Sequence, residues 1–169
     1  LGAADTPDDS ATYLARPDQM VWAQERVWVT LNHLSADFAR AGEGRVVAIA
    51  PALDRVVQSV ALPGVTNCTA VVYVPERASL YVSCSDLLAP GAAGNARARG
   101  AEVDLRGAVP VVGIVRRAAA GGGGQPYGFD LDVAAGHFLL VSRLGDLAQG
   151  IPDRLVAIDL DGDRDDGAE

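Results

Sequence analysis

The chain carries few residues able to do acid–base, nucleophilic or metal chemistry, and their spacing narrows that chemistry further. Its histidines are His33, in "TLNHLSADF", and His137, in the corner "AAGHF". No G-x-S-x-G elbow accompanies them, so nucleophilic hydrolysis has a weak foundation. His137 reads as an exposed turn residue. His33 follows a strand end and opens a long loop, which makes it the better placed of the two. The cysteines Cys68 and Cys84 flank a predicted hairpin in "TNCTAVVYVPERASLYVSCSD". Folding back near Pro75–Ser79 sets them opposite or nearly opposite on one face, within reach of a disulfide. Two buried free thiols, acting as small hydrophobes, are the other reading. A Cys2His2 zinc site from Cys68, Cys84, His33 and His137 lacks the short ligand spacings that force such a site together.

The acidic tail "DLDGDRDDGAE" sets Asp159, Asp161 and Asp163 at alternate positions, as in a calcium loop, but the glycine expected after the third ligand is missing. A frayed acidic terminus is the preferred reading, so no cofactor is expected, with calcium as the alternative. The run "AAAGGGGQ" has no following strand–helix pair or Lys-Ser/Thr and reads as a flexible connection. Asn67-Cys68-Thr69 spells a glycosylation sequon at the edge of a core strand, a position hard to modify.

Composition excludes several classes outright. All 14 basic residues are arginine, so no Schiff-base lysine, Ser-Lys dyad or phosphate-loop lysine exists. A net charge of −8 disfavours nucleic acid as a partner and adsorption to anionic lipid. No apolar run approaches the roughly 20 residues of a membrane-spanning helix. The opening segment has neither the basic nor the apolar region of a signal peptide, as a mature exported form would also lack them. Hydrophobic residues make up 49% of the chain and aromatic residues 5%, so valine, alanine and leucine must build the core.

Those elements recur. "RPDQMVWAQERVWVTLNH" with "GRVVAIAPALDRVVQSVALPG", "VTNCTAVVYVPERASLYVSCS" with "GAEVDLRGAVPVVGIVRR", and "QPYGFDLDVAAGHFLLVSRLGD" with "DRLVAIDLDGD" follow one order. Each has a strand, a corner, a strand ending in valine and a small hydroxyl residue, a long loop, and a further strand. The marker valines Val29, Val82 and Val141 lie roughly 50–60 residues apart, longer than the ~40–45 of the commonest propeller blade, with the excess in Gly/Ala-rich loops.

Strands are expected near 20–23, 27–31, 46–50 and 56–62, then 69–74, 80–83, 101–105 and 109–115, then 129–133, 138–142 and 155–159. Ser35 is placed to cap a turn or two of helix over "LSADFARAGEG". The fold class is all-β: a β-propeller segment of about three four-stranded antiparallel blades, the last incomplete. Blades fall at about 16–64, 65–118 and 124–162, after a polar segment 1–15 and before an acidic tail 163–169.

"PYGFDLDVAAGHFLLVSR", "LYVSCS", "VWVTLN" and "LVAIDLDG" resemble the YVTN-type repeat of bacterial surface and periplasmic β-propellers, related in fold to seven-bladed lactonase-like proteins. The aspartate that this pattern places after the isoleucine of the third strand is present as Asp159 but replaced by Ala50, so a looser corner with Pro51 pre-setting φ is expected there. Closed propellers carry four to eight blades. The remaining blades would come from a longer chain or from self-association.

The resemblance implies a secreted, periplasmic or cell-surface protein. Loops after each second strand and the starts of each inner strand should gather on one face. That brings together Asn32, His33, Asn67, Asp86, Gln125, Tyr127, Arg143 and Asp146, with His33, Asn67, Tyr127, Arg143 and Asp146 as binding candidates for a protein or small-molecule ligand. The expected function is a non-enzymatic binding or scaffold module. The alternative is a lactonase-like, metal-dependent hydrolase with part of its site outside this chain.

Overall fold

A computed structural model describes residues 12–87, 98–117, 127–143, 150 and 152–161. Among these residues eleven strands form three antiparallel sheets, each a meander in chain order. The first holds β1 (Pro17–Ala23), β2 (Arg26–Leu31), β3 (Glu43–Ala50) and β4 (Arg55–Thr66). The second holds β5 (Cys68–Val74), β6 (Ser79–Cys84), β7 (Arg99–Asp104) and β8 (Val111–Arg117). The third, among the described residues, holds β9 (Tyr127–Ala134), β10 (Phe138–Arg143) and β11 (Arg154–Asp159). Every expected strand is present. The sheets are blade-like, with inner strand β1 packed on β5 and β5 on β9, and they do not close into a ring.

Packing explains the burial patterns. The middle sheet is covered on both faces, so β6 is buried at every position and reads as a continuous apolar run. Trp28, Val46, Ala48, Leu62, Leu80, Val82, Ala101 and Val103 fill the space between the first two sheets, with Cys68 and Cys84 among them. Val74, Tyr81, Leu139, Val141 and Ile158 fill the second interface. β1, by contrast, alternates. Val21 and Ala23 turn toward the second sheet, while Met20 and Trp22 lie on the opposite face at 67% and 60% exposure.

The corners follow the local sequence. Pro51–Leu53 and Pro75–Arg77 are single 3-10 turns with proline at the first position, closed by Asp54 and Ala78 in the left-handed region. Asp54 N–H donates to Pro51 O at 3.2 Å, so the Ala50 corner is held by proline and the 3-10 turn. The aspartate corner works as expected where the residue is present: Asp159 Oδ1 accepts from Asp161 N–H at 2.9 Å, and Asp104 Oδ1 from Arg106 N–H at 2.9 Å. Hydrogen bonds from Arg106 hold the Asp104 carboxyl down to about 2. The expected helix after Ser35 does not form. The Ser35 hydroxyl donates to Asp37 Oδ1 at 2.6 Å and accepts from Arg40 N–H at 2.9 Å, which satisfies the loop within a single turn.

Tyr81 gives the second interface a pH dependence. Its hydroxyl donates to Glu102 Oε1 at 3.0 Å. Burial, and then the Glu102 charge, push the phenol well above its ordinary value. An acid with a raised folded pKa contributes stability that is complete below its unfolded value, about pH 10, and is lost as pH rises from there toward the folded value. Urea midpoints between about pH 9 and 11 should therefore fall more steeply for the native protein than for Tyr81→Phe. Parallel slopes would contradict this assignment.

Candidate functional site

The loop ends of the first two blades are built alike. Arg16 and Asn67, each just before an inner strand, adopt φ of 44° and 53°. The Arg16 carbonyl accepts from Asn32 N–H at 3.0 Å and the Ala15 carbonyl from His33 N–H at 3.2 Å. In the second blade the Asn67 carbonyl accepts from Ser85 N–H at 3.0 Å and the Thr66 carbonyl from Asp86 N–H at 3.1 Å. His33 and Asp86 are therefore equivalent positions of one repeat, both left-handed, at φ 54° and 56°. One register step further in, Pro17 faces Leu31 in the first blade, and Cys68 faces Cys84 in the second.

That last pair is a disulfide with an S–S distance of 2.11 Å, and both residues are fully buried. It excludes the free-thiol reading and removes both cysteines from any zinc site. Disulfides persist in oxidising compartments.

This repeat position explains what His33 does. It is 0% exposed, its Nδ1–H donates to Glu43 O at 2.9 Å, and its ring lies 5.2 Å from that of Tyr13. A Cβ at Gly42 would sit 2.7 Å from Nδ1, so the glycine is there to admit the imidazole. His33 is a packed support of the loop, away from the cleft described next. Asp86 is buried likewise, with Oδ1 accepting from the Thr66 hydroxyl at 2.8 Å.

Inner strands β1 and β5 are bulged just past their first residue, between Pro17 and Met20 and between Cys68 and Ala70. Bulges re-aim side chains near sites. Asp18 and Thr69 fall in these bulges, and both line a cleft of about 250 Å³ on the loop face. Asn32 and Asn67 also line it, with Leu34, Phe38 and Leu87 as its apolar wall.

Both amides are committed as donors. Asn32 Nδ2 donates to Asp18 Oδ2 at 3.0 Å and to Cys68 O at 3.2 Å. Asn67 Nδ2 donates to Ser85 Oγ at 3.2 Å and Asp86 O at 2.6 Å. Thr69 is 2% exposed, and its hydroxyl has no hydrogen-bond partner among the described residues. Buried polar groups are almost always paired, so this hydroxyl is an exception.

Of the residues singled out in the sequence, Asn32 and Asn67 meet in this cleft. His33 and Asp86 stand behind it as supports. Tyr127 and Arg143 are register partners at the loop end of the third sheet. Gln125 and Asp146 lie outside the described residues. Asp18 and Phe38 carried no motif and Thr69 only the discounted sequon, though Asp18 and Thr69 occupy one position of the repeat, second in the observed inner strands.

His137 lies on the opposite, corner face. There a second cleft of about 510 Å³ is lined by Glu76, Arg77, Gly136, His137 and Asp161, among others. Its guanidinium is taken: Arg77 pairs with Asp161, tying the second blade to the third. Of the calcium candidates, Asp159 caps its turn and Asp161 holds Arg77, while Asp163 lies outside the described residues. Among the described residues no helix is long and apolar enough to cross a membrane. No family model matches the chain, and neither the curated proteins nor the solved structures compared with it include a match.

Proposed function

We propose that the chain is a non-enzymatic binding module of an exported bacterial β-propeller of the YVTN type, with its ligand seated in the loop-face cleft. The observation that carries this reading is the convergence of Asp18, Asn32, Asn67 and Thr69 from two consecutive blades on one small cleft, with a buried hydroxyl left unpartnered there. Polar groups converging on a concave site beside an apolar wall are what a ligand requires. The disulfide supports export only as far as an oxidising compartment. The histidine best placed by sequence is packed against Gly42 and Tyr13, which favours binding over general-base chemistry.

The test pairs binding with turnover. Amide chemical-shift titration against a panel of small cations, anions and neutral alcohols should give saturable shifts confined to the cleft for at least one class. A lactone panel, with and without divalent metal, should show no turnover above background. Lactone hydrolysis lost in Asp18→Asn, with melting unchanged, would overturn the binding reading in favour of the lactonase-like hydrolase.

A further inference from the structure

We infer that the loop-face cleft receives a primary ammonium on an alkyl stem, either a lysine side chain of a partner protein or a free alkyl amine. This rests on the binding reading and adds the chemical class of the ligand.

The donor and acceptor balance of the cleft leads there. Each side-chain amide has two N–H protons. Both protons of Asn32 and both of Asn67 already have protein acceptors. What these residues can still offer a ligand is carbonyl oxygen. Asp18 adds a carboxylate that receives one hydrogen bond from Asn32 and is otherwise exposed. Thr69 lines the cleft, and its buried, unpartnered hydroxyl can accept as well as donate once rotation about χ1 turns it toward that space. A site of acceptors around one carboxylate fits a group rich in donors and positively charged, and charge-assisted bonds of this kind are the strong ones.

Size and wall specify the rest. A volume of about 250 Å³ lies below the ~300–1,000 Å³ of drug-sized ligand sites and matches a single side chain. Leu34, Phe38 and Leu87 beside the acceptors give methylene groups an apolar surface, as a lysine stem requires. The net charge of −8 steers cations toward the surface. These 169 residues contain no lysine, so none of their own side chains supplies the ammonium.

The folded chain, isotopically labelled, would be titrated with 1,5-diaminopentane and with Nα-acetyl-lysine methylamide, against pentan-1-ol and pentanoate as controls. Both cations should shift the amides of Asp18, Asn32, Asn67 and Thr69 saturably, and the controls should not. Asp18→Asn should weaken binding about tenfold and Thr69→Val several-fold, with melting checked for each. Tighter binding of the lysine derivative assigns the site to a partner's side chain, and tighter binding of the diamine assigns it to a free amine. Unchanged affinity in a folded Asp18→Asn, or no saturable shift with either cation, would overturn the inference. Pentanoate or pentanol saturating the same amides would also overturn it, while leaving the cleft a binding site.

Discussion

Trp28→Ala is expected to destabilise the protein by about 3–5 kcal/mol, measured by urea unfolding. Trp28 is 1% exposed, the largest of the fully buried side chains, and stands in β2 between Val21 and Ala48 where the first sheet meets the second. Blade-to-blade contact of this kind is the tertiary structure of a meander array, because each sheet's own hydrogen bonds only join its neighbours in sequence. The core contains few aromatic rings, so no adjacent side chain is large enough to fill the cavity. Trp22, one turn of the pleat away in β1 and 60% exposed, is the internal control, since Trp22→Ala should change stability by only about 0.5 kcal/mol. The indole N–H of Trp28 has no partner among the described residues. Both substitutions remove this unsatisfied donor, but Trp28→Phe keeps most of the ring volume and should cost clearly less than Trp28→Ala. The chain has only these two tryptophans, so each variant leaves one emission reporter. A Trp28→Ala loss no larger than that of Trp22→Ala would contradict the packing described for the first interface.

The strands were legible because period-two patterns, valine-rich runs and Pro/Gly/Asp corners are local signals, and each repeat restated them. The Cys68–Cys84 pairing was legible for the same reason, since a hairpin turning at Pro75 fixes the register between its arms. The short helix expected after Ser35 failed because its signal was a cap alone. The Ser35 and Asp37 side chains satisfy the loop's donors without further turns.

The site was half legible. Loop position marked Asn32, His33 and Asn67 alike, and the His33 side chain is packed against Gly42 and Tyr13. What distinguishes Asp18 and Thr69 is a bulge, and a bulge depends on the register of two strands rather than on a motif within one. The repeat aligns Asp18 with Thr69, but the expected inner strands began at 20 and 69, and only the observed starts at Pro17 and Cys68 set both residues second. At the calcium-like spacing, Asp159 caps its turn and Asp161 pairs with Arg77 of the second blade.

Replacing both cysteines, in Cys68→Ala/Cys84→Ala, is expected to cost about 3 kcal/mol, the chain-entropy value for a loop of roughly this length. The bridge spans 16 residues and clamps the loop end of β5 to β6. Its effect should carry a second signature through Gly44. A Cβ at Gly44 would come within 2.6 Å of Cys68 Sγ and 3.0 Å of Val65 Cγ2, so Gly44→Ala forces the first blade away from the cystine of the second. In the oxidised protein that substitution should cost about 1–3 kcal/mol by overpacking. With the sulfurs removed the closest obstacle is gone, leaving Val65, and the same substitution should cost at least about 1 kcal/mol less. Unfolding free energies for the four members of this cycle measure the coupling directly. Strict additivity would mean that the cystine does not pack against β3, and the disulfide would then act on the unfolded chain alone. Non-additivity of the stated sign makes it both a staple of its own hairpin and a wedge that sets the spacing between blades. The same spacing fixes the separation of Asp18 from Thr69, so loss of the bridge should also loosen the cleft.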